Sequence, residues 1–279
     1  MSNLRLGYNM RIYRPGIWAL NPYLNDADPS YISRGNPELD SEKSHAFNLS
    51  YSNFIQKFNV NISARYSFTN NSIENVTRLM PDTEIEGLKN PTGKDVLYST
   101  YANIGKTRYA SVNGYVNWNA TSRTRIYMNM SGNYSYLEGG EGMRNDGWSL
   151  FAYGGAQHTL PHDWRISMNV FGQTPWIMLQ GKGSNFFDYG VSVNKSFLNK
   201  RLTLSAFASN FFKKYMNQSS TTEGSGFVRE SNYKYSRQRF GVSVSYRIGE
   251  LKASVKKAAR TISNDDVKSG GGDSVGGGE

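Results

Sequence analysis

Residues Asn3–Ile12 read NLRLGYNMRI, with Leu4, Leu6, Tyr8, Met10 and Ile12 on one parity and Asn3, Arg5, Gly7, Asn9 and Arg11 on the other. Successive side chains of a strand point to opposite faces, so this stretch predicts a strand with one apolar and one polar face. The same period recurs as Phe47/Leu49/Tyr51, Phe58/Val60/Ile62/Ala64/Tyr66/Phe68, Ala110/Val112/Gly114/Val116/Trp118 and Ile126/Met128/Met130/Gly132/Tyr134/Tyr136. It continues as Trp148/Leu150/Ala152/Gly154/Ala156, Ile166/Met168/Val170, Phe187/Tyr189/Val191/Val193, Leu202/Leu204/Ala206/Ala208 and Phe240/Val242/Val244/Tyr246/Ile248. Ten strands are expected.

Four connections are short, at Ile55–Lys57, Thr121–Thr124, Pro161–Asp163 and Leu198–Lys200. Five are long, at Arg14–Ser44, Met80–Asp95, Leu137–Asp146, Pro175–Gly183 and Phe212–Gly226. Such alternation is what an antiparallel meander needs if every short turn lies on one side of a membrane. Composition agrees: the 279 residues include 19 Tyr, 14 Phe and 5 Trp, yet only 38% are hydrophobic. No apolar run approaches the ~18 residues of a membrane-spanning helix, which leaves an antiparallel up-and-down barrel as the way to cross a bilayer. The polar faces carry Asn, Ser, Thr and Arg rather than the Glu and Lys of a soluble sheet. Aromatics gather near strand ends, as at Trp118, Tyr134, Tyr136 and Trp164, in the manner of interfacial girdles. A soluble β-sandwich fits less well, because its strands are shorter. Phe58–Leu79 and Val96–Asn119 exceed the ~9–11 residues of one crossing and are expected to rise as tall walls outside. Lys106 and Arg108 interrupt the apolar parity about where the headgroups should begin.

At this point particular residues resemble a known family. Arg14–Ser52, RPGIWALNPYLNDADPSYISRGNPELDSEKSHAFNLSYS, resembles the loop-and-strand segment of TonB-dependent receptor barrels. TYANIGKTRYASVNGYVNWN (Thr100–Asn119) is similar to their recurring Asn-Ile-Gly-Lys strand, and VSVSYRIG (Val242–Gly249) resembles their closing strand. Leu251–Gly272 resembles the C-terminal extension of one branch, the outer membrane protein β-barrel family. The resemblance implies the closing part of a barrel of about 22 strands, with ~12 strands and an N-terminal plug outside this chain. It also implies the outer membrane of a Gram-negative bacterium and uptake of a nutrient. The partners it implies are outer-membrane lipid, the plug and remaining strands, a periplasmic energy-coupling protein and a surface lipoprotein. Met1 opens directly on strand residues, without a basic region, apolar run or cleavage site, so no signal peptide is read and a gene fragment is expected.

Candidate residues are few. Arg5, Arg11, Arg65, Arg125, Arg165, Arg237, Arg239 and Arg247 are expected on the polar parity of their strands. They could form a cationic lumen that attracts anionic solutes, or pair with carboxylates of neighbouring strands or a plug; the pairing is the simpler reading. Asp188 shares that parity, and a lumen salt bridge explains it. His158 and His162 have i, i+4 spacing but flank a turn, and with His45 they make no metal site. The triplets Asn48-Leu49-Ser50, Asn61-Ile62-Ser63 and Asn133-Tyr134-Ser135 follow from strand alternation and carry no function. The chain has no cysteine, which removes thiolate chemistry and disulfides. No catalytic, cofactor or metal residue is expected, and the ligand-binding residues are unknown from sequence. The net charge of +10 belongs to residues 1–248, because 249–279 carry five acids and five bases. Lys and Arg are scattered without a recognition helix, so no nucleic-acid partner is expected.

Residues 1–249 are therefore read as part of an outer-membrane β-barrel that is not an enzyme. Residues 250–279 are read as a short basic segment, Lys252–Arg260, and a Gly-rich disordered tail, Ser269–Glu279. Loops such as Asn21–Ser44 and Asn217–Gly226 are expected to capture ligand. The alternative is a self-contained ten-stranded hydrolase or adhesin; a non-transporting barrel of the same family also stays open.

Overall fold

Alternation of apolar and polar residues is realised as a run of antiparallel strands, each hydrogen-bonded to the next. The computed structural model describes residues 2–249 and the backbone of 267–268. Along the chain come β1 (Ser2–Pro15), the one-turn helix α1 (Ile17–Leu20), β2 (Asn25–Asp28), β3 (Tyr31–Ser33), β4 (Glu42–Ile55), β5 (Phe58–Pro81) and β6 (Asp95–Asn119). Then follow β7 (Thr124–Glu138), β8 (Arg144–Leu160), β9 (Trp164–Gln173), β10 (Ile177–Met178), β11 (Gly181–Lys182) and β12 (Phe186–Phe197). The last are β13 (Leu202–Ser209), β14 (Tyr215–Gly224), β15 (Phe227–Ser236), β16 (Arg239–Tyr246) and β17 (Val267–Lys268). The expected basic segment Lys252–Arg260 and the Gly-rich tail Ser269–Glu279 lie outside the described residues.

Ten strands form the wall in the order β1, β4, β5, β6, β7, β8, β9, β12, β13, β16. All ten lie where the period places them. The apolar parity is uncovered: Leu4 is 69% exposed and Leu6 79%, and Val112, Met130, Leu150, Met168 and Val242 are exposed beside them. A continuous apolar surface of this size is a lipid contact rather than a water-facing one. The wall is not closed among the described residues. One edge of β16 is unpaired, and the edge of β1 away from β4 meets only the two-residue β17, in parallel, at Arg14 and Pro15.

β5 and β6 pair from Phe58↔Trp118 up to Pro81↔Asp95, the longest hairpin of the wall. The register shifts between Thr69, Ser72 and Ile73 mark a bulge, and above it the hairpin leaves the lipid-facing pattern: Ile73, Val76 and Thr77 are buried. β7 stops opposite Lys106, so the upper edge of β6 would be bare. β3 takes that edge in parallel, Tyr31↔Leu97 to Ser33↔Ser99. Bare edges invite wrong pairing, and this short strand covers one.

Two small cores fix the first long connection to the upper part of the β5–β6 hairpin. Ile32, Ile85 and Val96 pack with Leu24, Met80, Leu88 and Tyr98, and Ala19, Leu39 and Ile73 with Leu20 and Tyr101. The segment Phe212–Gly226, expected as a loop, is a loop only to Lys214; from Tyr215 it belongs to the hairpin β14–β15, which pairs from Tyr215↔Ser236 to Gly224↔Phe227. With β10 and β11 it makes a second sheet of four strands.

Candidate functional site

The polar parity is a lattice of amides and hydroxyls. Strand pairing aligns Ser50, Ser63, Asn113 and Ser131 in one row across β4 to β7, and Asn48, Arg65, Ser111, Asn133 and Ser149 in the row above. At the β7–β9 end these rows line a recess of about 430 Å³. Asn113, Asn129, Ser131 and Asn133 form its polar side, and Phe151 and Trp176 its aromatic side. Neutral donors and acceptors beside a flat ring suit a hydrogen-bonding solute with an apolar face.

An aromatic ladder continues from the recess. Phe151 meets Phe171 edge-on at 5.2 Å, and Phe171 meets Phe186 at 5.0 Å. The Arg237 guanidinium lies 4.3 Å over the Phe186 ring and 3.6 Å from Asp188 Oδ2. Asn210 donates from Nδ2 to Asp188 Oδ1 at 2.7 Å, and its Oδ1 accepts from the Tyr189 amide at 3.2 Å. Asn210 is buried with φ 49°, a left-handed conformation that Asn tolerates better than most residues. Asp188 thus has the salt bridge its parity suggests, with a partner about 50 residues away in sequence.

The other arginines are dispersed. Arg5 lies opposite Ser50, Arg65 between Asn48 and Ser111, Arg165 between Thr159 and Asn194, and Arg239 opposite Ser209. Arg11 lies opposite Ser44, and Arg125 donates from Nε to Asn117 Oδ1. Two placements are corrected: Arg237 sits in the link between β15 and β16, and Arg247 follows the last residue of β16. Neither lies on a strand, although their amides still donate to the Lys214 and Arg201 carbonyls at 3.1 and 2.8 Å, one residue beyond the last paired residues of β15 and β16. His158 Nδ1 contacts Thr124 Oγ1 at 2.8 Å on β8, His162 lies in the following turn with φ 60°, and His45 Nδ1 meets the Tyr8 hydroxyl at 2.8 Å. Among the described residues no group of three or more His, Cys, Asp or Glu side chains converges.

The turn residues of Arg14–Ser52 fold the first connection. Asn21 Oδ1 accepts from the Tyr23 amide at 3.1 Å, and Asp28 Oδ1 from the Ser30 amide at 2.9 Å. The bonds from Ser30 hold the Asp28 carboxyl below its ordinary range. Asn36 donates from Nδ2 to the Tyr101 carbonyl at 3.0 Å, and buried Glu42 accepts from the Ile73 amide at the bulge. Asn21–Ser44, expected to capture ligand, is tied by these bonds and the two small cores to β5 and β6, and the recess-lining Trp176 comes from the connection between β9 and β12. Sequence reasoning missed Trp176 because a lone Trp among turn residues has no period.

Among solved structures, the chain is similar to the copper transporter OprC, with a TM-score of 0.58 and 13% identity over 88% of this chain and 37% of that one. At this identity the likeness shows the fold, and the chain spans little more than a third of that transporter's length. No curated protein matches the sequence. The profile of the outer membrane protein beta-barrel family matches residues 1–246. A wall of alternating strands with a lipid-facing apolar surface and that match together establish that the chain belongs to the outer membrane protein beta-barrel family.

Proposed function

We propose that this chain is part of a larger TonB-dependent-receptor-like barrel that takes up a nutrient across the outer membrane, rather than a self-closed hydrolase or adhesin. The observation that carries the reading is the open wall: ten strands in meander order whose terminal strands, β1 and β16, do not pair with each other among the described residues. In lipid each unsatisfied backbone group costs several kcal/mol, so both edges need partners, and further strands supply them. The polar lattice and the recess at Phe151 and Trp176 supply weak, multiple contacts for a neutral, hydrogen-bonding solute. The dispersed arginines and the Asp188–Arg237 pair support a structural part for the charged groups of the lumen. Copper belongs to the similar structure and, at 13% identity, is not carried over to this chain.

The chain has no cysteine, so introduced pairs report pairing on a clean background. In native outer membranes, Cys at Gly7 and at Gly241 should give no intramolecular disulfide. Cross-linking in high yield would mean that β1 and β16 meet in a ten-stranded barrel and would overturn the reading. Transport is tested by growth on limiting single nutrients, copper included. A Phe151→Ala/Trp176→Ala variant should lose growth on one of them, and deletion without effect on any would remove the transport proposal.

A further inference from the structure

The outward face of the wall changes character in two steps toward the long connections. The first is a row of rings: Tyr8, Phe47, Tyr66, Tyr134 and Trp148 lie in register across β1, β4, β5, β7 and β8, with Ala110 of β6 between them. The second lies one and two outward positions higher, where Lys43, Lys106, Arg108 and Arg144 share the face with Glu138 and Asp146. Cations lie directly on rings of this band, Arg108 5.4 Å over Phe68 and Arg144 4.8 Å over Tyr136. From Trp118, at the short-turn end, to Arg108 is ten residues of tilted strand, a rise of roughly 26 Å, which matches the ~25 Å apolar band of an outer-membrane barrel.

We propose that Lys43, Lys106, Arg108 and Arg144 bind the phosphate of an anionic lipid of the outer leaflet, whose acyl chains lie along the rings and aliphatic rows beneath. The four cations occupy the lipid-facing parity, so they serve neither the recess nor a transported solute. They outnumber the two carboxylates beside them. Arg108 is held ready: its Nη1 donates to the Thr69 and Thr107 carbonyls at 3.2 and 2.8 Å, and its Nη2 to Asn70 Oδ1 at 2.7 Å. No carboxylate lies within ion-pair distance of it among the described residues. Lys106 pairs with Glu138 at 3.0 Å and Arg144 with Asp146 at 3.8 Å, both at exposed positions where such pairs are weak. A phosphate carries more charge than either carboxylate and accepts from several donors together, so it displaces them. His45 closes the row, stacked at 4.9 Å on Phe68 with its Nδ1 on the Tyr8 hydroxyl. A soluble anion would use the cations alone; the apolar rows directly below commit the site to a lipid.

The test is native mass spectrometry of the protein extracted from outer membranes in nonionic detergent. The probes are a bis-phosphorylated glycolipid, its dephosphorylated form and inorganic phosphate. The wild type should retain the phosphorylated glycolipid over the dephosphorylated one. Lys106→Gln/Arg108→Gln should weaken retention by about fivefold per charge removed, while Lys57→Gln/Arg123→Gln in the short turns should change nothing. Arg108 also ties β5 to β6, so insertion is checked by heat-shifted gel mobility. Lys43→Gln/Arg144→Gln spares those bonds and reads the same quantity. Equal retention of both glycolipids, unchanged retention in the rim variants, or displacement by inorganic phosphate at equal concentration would overturn the proposal.

Discussion

Gly35 stands where a β-carbon has no room: it would lie 2.5 Å from the Asn21 carbonyl oxygen, 2.7 Å from that of Ala19 and 2.7 Å from the Asn21 nitrogen. All three are backbone atoms and cannot swing aside. Gly35→Ala should therefore open the first connection at a cost of about 2 kcal/mol, while the wall still inserts. Protease cleavage within residues 16–41 of the membrane-embedded protein would report it, and an uncut connection would count against the packing described. Asp82 is the corresponding organiser of the β5–β6 tip. Its carboxylate accepts from the Thr92 amide at 2.6 Å, the Thr92 hydroxyl at 2.8 Å and the Gly93 amide at 2.8 Å, which holds its pKa below the ordinary 3.8. A lowered carboxyl stabilises the fold above the unfolded value, and that contribution is lost as pH falls through the folded one. The tip should keep its order at pH 5 and loosen below about pH 3.8. Hydrogen exchange at Thr92 and Gly93, corrected for intrinsic rate, should show this, and Asp82→Asn should abolish the pH dependence. The sequence places Gly35 in the long connection Arg14–Ser44; that this glycine is needed for close approach is a fact of tertiary packing.

At the scale of elements, the wall strands were legible because lipid on one side and polar lumen on the other impose a strict period of two. Leu4 to Ile12 shows it without exception. β14 and β15 were not legible, since a hairpin standing in water has no apolar face: Asn217, Gln218, Ser219 and Ser220 are polar on both parities. β3 escaped for another reason. Its pairing with β6 is parallel, lasts three residues and joins positions 66 apart, so no local pattern announces it. The recess was only half legible, its Asn and Ser readable as polar parity and its Trp176 not. Arg237 and Asp188 join the link before β16 to β12, with side chains 27% and 21% exposed. A double-mutant cycle on Asp188→Ala and Arg237→Ala should give a coupling of about 1 kcal/mol. Additive losses would mean that the Phe186 ring and Asn210, rather than the ion pair, hold this corner.

Across the whole molecule, the long connections are clasped to one another above the wall. The Gln180 side chain acts as a strand partner to Thr77, accepting from its amide at 2.7 Å and donating to its carbonyl at 2.8 Å. The Gln180 carbonyl accepts from Glu223 at 2.7 Å, and Gly181 pairs with Thr222. Asn145 donates to the carbonyls of Met178 and Gly181, each at 2.8 Å, and Arg229 covers Tyr31 at 3.8 Å. Replacing Gln180 with Ala leaves the Thr77 pair without partners. Hydrogen exchange should then quicken at Thr77, at Glu223 and in the first connection together; acceleration confined to residues 177–182 would show that the clasp is local. The clasp has a kinetic meaning as well. Segments joined in this way open as one cooperative unit, so access to the recess is set by the lifetime of a single rare opening rather than by the independent fluctuations of five loops.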